Sequence, residues 1–226
     1  MQTEIIVGGS HGIGLAYVQK HIETKRIINL SRTEPEVTHP NLEHHQLDIL
    51  NGELPEVSQA DALIYFPGSI NLKPFGSLSK QDYRDDFEIN VLGAVRAVKK
   101  YLTLLKKGTD PSITLFSTVA AAQGMPFHAS VAVAKSGVEG LTKSLAAEFA
   151  GSVRVNCIAL NITDTPLAGK ILRNDKARES IAERQPMKRI LEAEEVADAV
   201  SFLVDQARGM TGQIMGLDMG LSTIRV

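Results

Sequence analysis

Short apolar runs alternate with helical patterns from one end of the chain to the other, and this alternation predicts a parallel sheet covered by helices on both faces. The runs are continuously apolar, as expected of strands buried on both sides. Seven strands are predicted, at residues 5–7, 26–30, 44–47, 62–66, 112–117, 153–159 and 213–217. The predicted fold class is α/β, a three-layer doubly wound parallel sheet. Because no repeat or composition shift divides the sequence, residues 1–226 are interpreted as a single domain.

Apolar residues at helical spacing predict three helices. The first begins at Ser79, with Asp82 three residues on as in a capping box, and runs to about residue 107; the others span about 129–150 and 193–204. Two stripes are interpreted as core or subunit interface: Phe87, Val91, Ala94, Val98, Leu102 and Leu105, and Val131, Ala134, Val138, Leu141, Leu145 and Phe149.

Two connections stand out by their length. The segment between Asp48 and Asp61 contains Gly52 and Pro55 and is too short for a full helix, so we expect a loop or a single turn there. The polar stretch at residues 165–185 carries few structural signals and is long enough to be a lid over a site.

Composition and charge narrow the class of protein. Apolar residues make up 43% of the chain and charged residues 22%, which is typical of a soluble globular protein. A net charge of −2 with both signs interspersed argues against nucleic-acid and membrane partners. The single cysteine, Cys157, excludes an internal disulfide and fits a reducing compartment. With no signal peptide or membrane-length apolar run, the expected location is cytoplasmic, and no metal is expected.

A glycine-rich turn directly follows the first predicted strand. Residues 8–14 read GGSHGIG and lead into a helical pattern. Glycines here allow a tight turn and a close approach to a pyrophosphate, while the helix N-terminus offers free N–H groups to the anion. The context predicts a dinucleotide-binding Rossmann fold. The candidate cofactor-binding residues of this turn are Gly8, Ser10, His11, Gly12, Ile13 and Gly14.

The end of the second predicted strand bears on the choice of cofactor. An acidic residue at this position favours NAD, whereas a cation favours the 2′-phosphate of NADP. The chain reads Ser31-Arg32 with no carboxylate at the tip, and a guanidinium beside a hydroxyl can bind phosphate. NADP(H) is therefore preferred over NAD(H), the alternative being that Arg32 is a solvated surface charge.

With these segments in place, the chain resembles the short-chain dehydrogenase/reductase family over nearly its whole length. The matching segments are residues 7–14, Ser31-Arg32, Asp48-Ile49, residues 87–93 around Asn90, Ser117-Thr118, Lys135 with Ser136-Gly137, residues 153–156 and residues 210–213. The resemblance implies Asn90, Thr118 and Lys135 as catalytic residues. It also implies a cofactor site that includes Asp48, Ile49, Gly68, Asn90, Lys135, Thr163 and Thr165.

Several positions depart from the family pattern. The family has its proton-donating tyrosine four residues before the lysine, where this chain has Val131. Among His128, Ser130 and Tyr65, His128 is the best substitute donor because a histidine pKa suits proton transfer near neutrality. Residues 65–68 read YFPG where the family usually has Asn-Asn-Ala-Gly, and residues 160–161 read LN where it has Pro-Gly.

Three hypotheses about function remain. The first is an NADP(H)-dependent oxidoreductase that transfers hydride to or from a carbonyl or alcohol with a non-standard proton donor. The second is a non-catalytic dinucleotide-binding sensor or scaffold, favoured by Val131. The third is double-bond reduction with a proton taken from water. The resemblance also implies a small-molecule substrate whose site is lined by residues 165–185. It further implies a homodimer or homotetramer that forms through the two long helices.

Overall fold

The computed structural model describes residues 1–225 and contains one parallel sheet of seven strands. The strands are β1 (Thr3–Val7), β2 (Arg26–Ser31), β3 (Leu42–Gln46), β4 (Ala62–Tyr65), β5 (Ser112–Thr118), β6 (Arg154–Leu160) and β7 (Ile214–Leu217). They lie in the order β3-β2-β1-β4-β5-β6-β7, and every neighbouring pair is parallel. The predicted doubly wound α/β fold is confirmed.

Helices cover both faces of this sheet. They are α1 (Gly12–His21), α2 (Lys80–Phe87), α3 (Gly93–Leu105), α4 (Ala129–Glu148), α5 (Asp175–Ala182) and α6 (Ala193–Asp205). Side chains alternate along each strand, so Ile5 belongs to the apolar cluster under α3 and α4, and Ile6 belongs to the cluster under α1 and α6. An apolar core therefore lies on each face of the sheet, between the strands and the helices that cover that face.

The strand order reverses direction at β1. The chain moves outward from β1 to β2 and β3, then crosses back to add β4 on the other side of β1. In open α/β sheets, ligands bind in the crevice outside the carboxyl ends of the strands at such a point. The loops that follow β1 and β4, which begin at Gly8 and Phe66, meet in this crevice.

Two predicted elements need correction. The helix predicted over 79–107 begins as expected, since Ser79 and Asp82 form a capping box, but a π-helical turn at Glu88–Leu92 divides it into α2 and α3. Phe87 is 39% exposed, so of the two roles given to its stripe, core or subunit interface, it does not take the core role within this chain. The strand predicted over 44–47 begins earlier, and it is partly exposed because β3 is the edge strand.

The two connections of unusual length behave differently. Between β3 and β4 the chain makes one turn, in which the amides of Asn51 and Gly52 bond the carbonyl of Asp48, as expected. The stretch at 165–185 is more regular than its sequence indicates, since it contains a 3-10 turn at Pro166–Ala168 and α5. Within the part of the chain that the structure describes, no helix is both long and apolar enough to span a bilayer.

Candidate active site

The glycine-rich turn joins β1 directly to α1. Gly8 has φ +84°, which favours glycine, and a Cβ on Gly14 would collide with the carbonyl oxygen of Gly8. The N-cap residue, His11, makes no side-chain cap bond, and the first turn of α1 holds no acidic residue. The first amides of α1 around Ile13 therefore keep their capacity to bind an anion.

The tip of β2 lies against this turn. The hydroxyls of Ser10 and Ser31 are 2.5 Å apart, and the Ser10 hydroxyl also donates to the carbonyl of Thr33 at 2.5 Å. His11 Nε2 is 3.0 Å from the Thr33 hydroxyl. The structure thus brings together Ser10, His11 and Ser31 as predicted, although the Ser10 hydroxyl is buried and already bonded within the protein. The side chain of Arg32 is exposed beside them.

Asp48 and Ile49 follow β3 at the same edge of the sheet. The carboxylate of Asp48 accepts from the amide of Leu50 at 2.9 Å and from Asn51 Nδ2 at 3.2 Å. The Ile49 side chain is buried in the apolar core, and its carbonyl accepts from Arg96 at 2.6 Å. Both residues shape the turn between β3 and β4.

At the end of β4, Gly68 lies against the side chains of Asn90 and Lys135. A Cβ on Gly68 would lie 3.1 Å from Asn90 Oδ1 and 3.2 Å from Lys135 Nζ. Asn90 belongs to the π turn and is 1% exposed, and no group within residues 1–225 bonds its Oδ1. Lys135 Nζ donates to the carbonyl of Phe116 at 3.0 Å. Burial lowers the pKa of Lys135 to about 8.

Sequence reasoning missed two members of this cluster, Ser69 and Asp86. Asn90 Nδ2 donates to the carbonyl of Asp86 at 2.7 Å and to Ser69 Oγ at 2.8 Å, and Ser69 Oγ donates to Asp86 Oδ1 at 2.5 Å. The only sequence signal was spacing, since Asp86 lies four residues before Asn90 on the same helical face.

Thr118 and Val131 lie on the neighbouring elements. Thr118 ends β5, and its hydroxyl accepts weakly from the amide of Ala120 at 3.4 Å, which leaves its O–H free to donate. The preceding Ser117 is buried and donates to Glu139 at 2.6 Å. Val131 lies on α4 one turn before Lys135 and is buried.

The three substitute proton donors occupy different environments. His128 is the N-cap residue of α4, and its Nδ1 donates to the carbonyl of Pro126 at 2.7 Å, which leaves Nε2 free to exchange a proton. Ser130 is buried. Tyr65 is a poor candidate because it is also buried, and its hydroxyl donates to the carbonyl of Ile89 at 2.6 Å.

The segment after β6 closes the crevice from the other side. Thr163 pairs with Leu191, and its hydroxyl donates to the carbonyl of Asn161 at 3.1 Å. Thr165 lies over the glycine-rich turn, since a Cβ on Gly12 would approach its side chain to 3.1 Å. The predicted residues of β1, β4, β5, α4 and this segment therefore surround one crevice.

These features fit a nicotinamide dinucleotide. A glycine cradle next to uncapped helix amides suits a pyrophosphate, and the unpartnered Asn90 Oδ1 beside the Lys135 ammonium suits sugar hydroxyls, which both donate and accept. No group of three or more His, Cys, Asp or Glu residues within 1–225 is arranged to hold a metal ion.

Comparison with known proteins agrees with this geometry. The family model described as enoyl-(acyl carrier protein) reductase matches residues 54–222. The 3-oxoacyl-[acyl-carrier-protein] reductase FabG of Thermotoga maritima is 34% identical over 146 residues, which cover 64% of this chain and 58% of that protein, less than two thirds of its length. Cis-4-hydroxycyclohexanecarboxylate dehydrogenase of Sinomonas cyclohexanicum is 32% identical, over 75% of this chain and 68% of that protein.

Solved structures extend the similarity to the whole chain. The aldohexose dehydrogenase of Thermoplasma acidophilum superposes with a TM-score of 0.89 at 26% identity, covering 100% of this chain and 96% of that one. These relatives carry the names of dehydrogenases and reductases, which are oxidoreductases. The family model, the relatives and the fold agree, and the chain belongs to the short-chain dehydrogenase/reductase family.

Proposed function

We propose that the chain is an NADP(H)-dependent oxidoreductase that reduces a carbonyl or oxidises an alcohol and uses a non-standard proton donor. The observation that carries this proposal is the contact of Gly68 with Asn90 and Lys135 in the crevice that also holds the glycine-rich turn. Burying a lysine and leaving a buried amide oxygen without a partner both cost stability, so their presence in this crevice favours a role in binding a ligand.

The chain supplies a binding group for each part of the cofactor. In this proposal the amides at the start of α1 hold the pyrophosphate, Arg32 pairs with the 2′-phosphate, and Lys135 binds the hydroxyls of the nicotinamide ribose. When bound, the nicotinamide ring supplies or accepts the hydride. Thr165, which lies over Gly12, covers the turn that holds the pyrophosphate in this proposal.

The proton is assigned to His128. Val131 has no proton to give, and it lies where the family resemblance implies a tyrosine. His128 is three residues earlier, and its bond to the Pro126 carbonyl fixes Nδ1 as the donor so that Nε2 can exchange a proton. The Thr118 hydroxyl, which is free to donate, steadies the substrate oxygen.

A second candidate function is a dinucleotide-binding sensor or scaffold without turnover. It is favoured by Val131 and by Pro67, whose ring is close to Gly8 and which offers no N–H to a ligand. This alternative shares the binding site and differs only in the chemistry.

The two functions are separated by mixing the chain with NADPH and a panel of small carbonyl compounds while following the reduced-nicotinamide absorbance. The proposal predicts turnover that falls about 10²-fold in His128→Gln and is unchanged in His39→Gln, a control outside the site. Val131→Tyr is expected to raise the rate. NADPH binding with no turnover of any carbonyl would contradict the oxidoreductase and favour the sensor.

We further propose self-association through the outer face of α2 and α4. Phe87 is 39% exposed and Val133 is 58% exposed, and both line one groove with Tyr83. Large apolar side chains placed together on a surface favour a second copy of the chain as the partner. Sedimentation should show a dimer or tetramer that Val133→Glu dissociates, and a monomeric wild type would contradict this proposal.

A further inference from the structure

One carboxylate of α2 is buried although it has no salt bridge within residues 1–225. Asp86 is 2% exposed, and the hydroxyl of Ser69 donates to its Oδ1 at 2.5 Å. Its other oxygen, Oδ2, has no hydrogen-bond partner in the described chain. A buried carboxylate without compensation is costly, so a donor or a positive charge must act on it.

Hydrogen-bonded side chains lead from Asp86 to the surroundings of Lys135. Asn90 Nδ2 bonds both the carbonyl of Asp86 and the hydroxyl of Ser69, at 2.7 and 2.8 Å. The Oδ1 of the same amide and Lys135 Nζ both face Gly68. A Cβ added to this glycine would lie 3.1 Å from the Asn90 Oδ1 and 3.2 Å from the Lys135 Nζ. The Asp86 carboxylate is therefore linked to this amide through the Ser69 hydroxyl, the Lys135 ammonium lies on the oxygen side of the same amide, and both charged residues are buried.

Within residues 1–225, the groups whose charge acts on Lys135 are Cys157 and Asp86, and of these two Asp86 is the anion. From β6, Cys157 faces the ammonium, but burial raises the pKa of this thiol to about 12 and keeps it neutral. On α4 itself, the Glu139 carboxylate accepts from Ser117 at 2.6 Å. From α2 comes Asp86, whose negative charge opposes the effect of burial on the Lys135 pKa.

We propose that Asp86 is the counter-charge of Lys135 and keeps this buried lysine protonated, acting as a positioning residue for the site. What Lys135 then binds depends on the proposed function, but the pairing of the two charges does not. The reasoning is electrostatic: two opposite charges withdrawn from water stabilise one another, and either one alone is strongly unfavourable.

The direct test is a pH titration of Lys135 by NMR, with carbon-13 at the lysine Cε and the signal assigned by its loss in Lys135→Arg. Asp86→Asn keeps the shape of the side chain and an acceptor for Ser69 but removes the charge. The Lys135 titration midpoint is expected to fall by about one pH unit, a tenfold loss of proton affinity. Asp85→Asn is the matched control, because Asp85 is exposed on the same helix. An unchanged midpoint in folded Asp86→Asn would overturn the proposal.

A double-mutant cycle tests the pairing without NMR and without a cofactor. Asp86→Asn should lower the Tm of the wild type, where it deprives Lys135 of its counter-charge. In a Lys135→Met background the same change should raise the Tm, because it removes a carboxylate that has lost its cation. If Asp86→Asn does not fold on its own, the proposal is still tested by comparing the Tm of Lys135→Met with that of the double variant, which should be the higher of the two. Equal shifts in both backgrounds would overturn the proposal.

A third readout connects the pair to the proposed function. In the wild type, NADPH affinity should weaken as the pH rises through about 8, where Lys135 loses its proton. In Asp86→Asn the same weakening should occur about one pH unit lower. Asp85→Asn should follow the wild type. If no variant binds NADPH, the proposed function fails, while the titration and the mutant cycle still decide the role of Asp86.

Discussion

The hydroxyl of Tyr65 donates a 2.6 Å hydrogen bond to the main-chain carbonyl of Ile89. The amide of Gly93, which in a regular α-helix bonds the carbonyl of Ile89, bonds the carbonyl of Glu88 in this π turn. Tyr65 thereby joins the end of β4 to the turn that carries Asn90. The family resemblance places an asparagine at this position, where this chain has a tyrosine.

Replacing Tyr65 with phenylalanine should lower the free energy of unfolding by about 1–3 kcal/mol, because it leaves the Ile89 carbonyl without its donor. Urea unfolding measures the change. Tyr83→Phe is the matched control, since no side-chain hydrogen bond from Tyr83 is found within residues 1–225 and its unfolding midpoint should stay close to that of the wild type. Equal midpoints for all three proteins would show that the bond contributes nothing.

Gly93 is the structural partner of Tyr65, because a Cβ at this position would collide with the tyrosine hydroxyl. Gly93→Ala should therefore destabilise the wild type by about 1–3 kcal/mol, although alanine favours helix. The loss should shrink in a Tyr65→Phe background, where the hydroxyl is gone. A loss of the same size in both backgrounds, measured by urea unfolding, would rule out this contact as its cause.

A buried lysine that does form salt bridges, Lys25, lies at the opposite end of the sheet. Lys25 Nζ donates to Glu4 at 2.7 Å and to Asp205 at 2.6 Å, and Glu4 is fully buried. Lys25→Met should cost about 3–5 kcal/mol, because it leaves the Glu4 carboxylate unpaired. The exposed pair of Lys20 and Asp198 is the control, and Lys20→Met should cost less than about 1 kcal/mol in the same unfolding experiment. Similar losses from the two changes would contradict the assignment.

Protonation of His21 makes the free energy of unfolding depend on pH. Its Nε2 is 2.6 Å from the Ser201 hydroxyl, and burial lowers its pKa from 6.5 to about 4. Because the unfolded chain takes up this proton at higher pH than the folded one, the stabilisation is complete above pH 6.5 and is lost as the pH falls toward 4. Urea midpoints measured between these values should fall more steeply for the wild type than for His21→Gln. Parallel curves would show that His21 does not contribute.

Arg32 should set the preference between the two nicotinamide cofactors. Arg32→Asp is expected to weaken NADPH binding by about tenfold or more, the value of a charge-assisted contact, while NADH binding changes little. Calorimetry with both nucleotides measures this. Arg26→Asp, at the amino end of the same strand, makes the same change of charge away from the crevice and should affect neither. Equal weakening of NADPH and NADH by Arg32→Asp would refute the contact.

The sequence was sufficient for the fold because each buried strand is a continuous apolar run, and the glycine-rich turn identified the crevice. The π turn could not be predicted from the sequence, because the spacing of Phe87, Val91 and Ala94 is compatible with a regular α-helix and with a helix that contains one extra residue in a turn. The buried position of Asp86 depends on the packing of α2 against α4, and a charged residue between Asp85 and Phe87 looks like any solvated acid. Tertiary contacts, which local periodicity does not record, decided both points.

Calorimetric titration of the full chain with NADPH, and then with NADH, tests the central claim most directly. The arrangement of the glycine-rich turn, Arg32, Asn90 and Lys135 predicts saturable binding of one NADPH per chain, tighter than that of NADH. Absence of heat and of saturation with either nucleotide at millimolar concentration, in a chain shown to be folded, would contradict it.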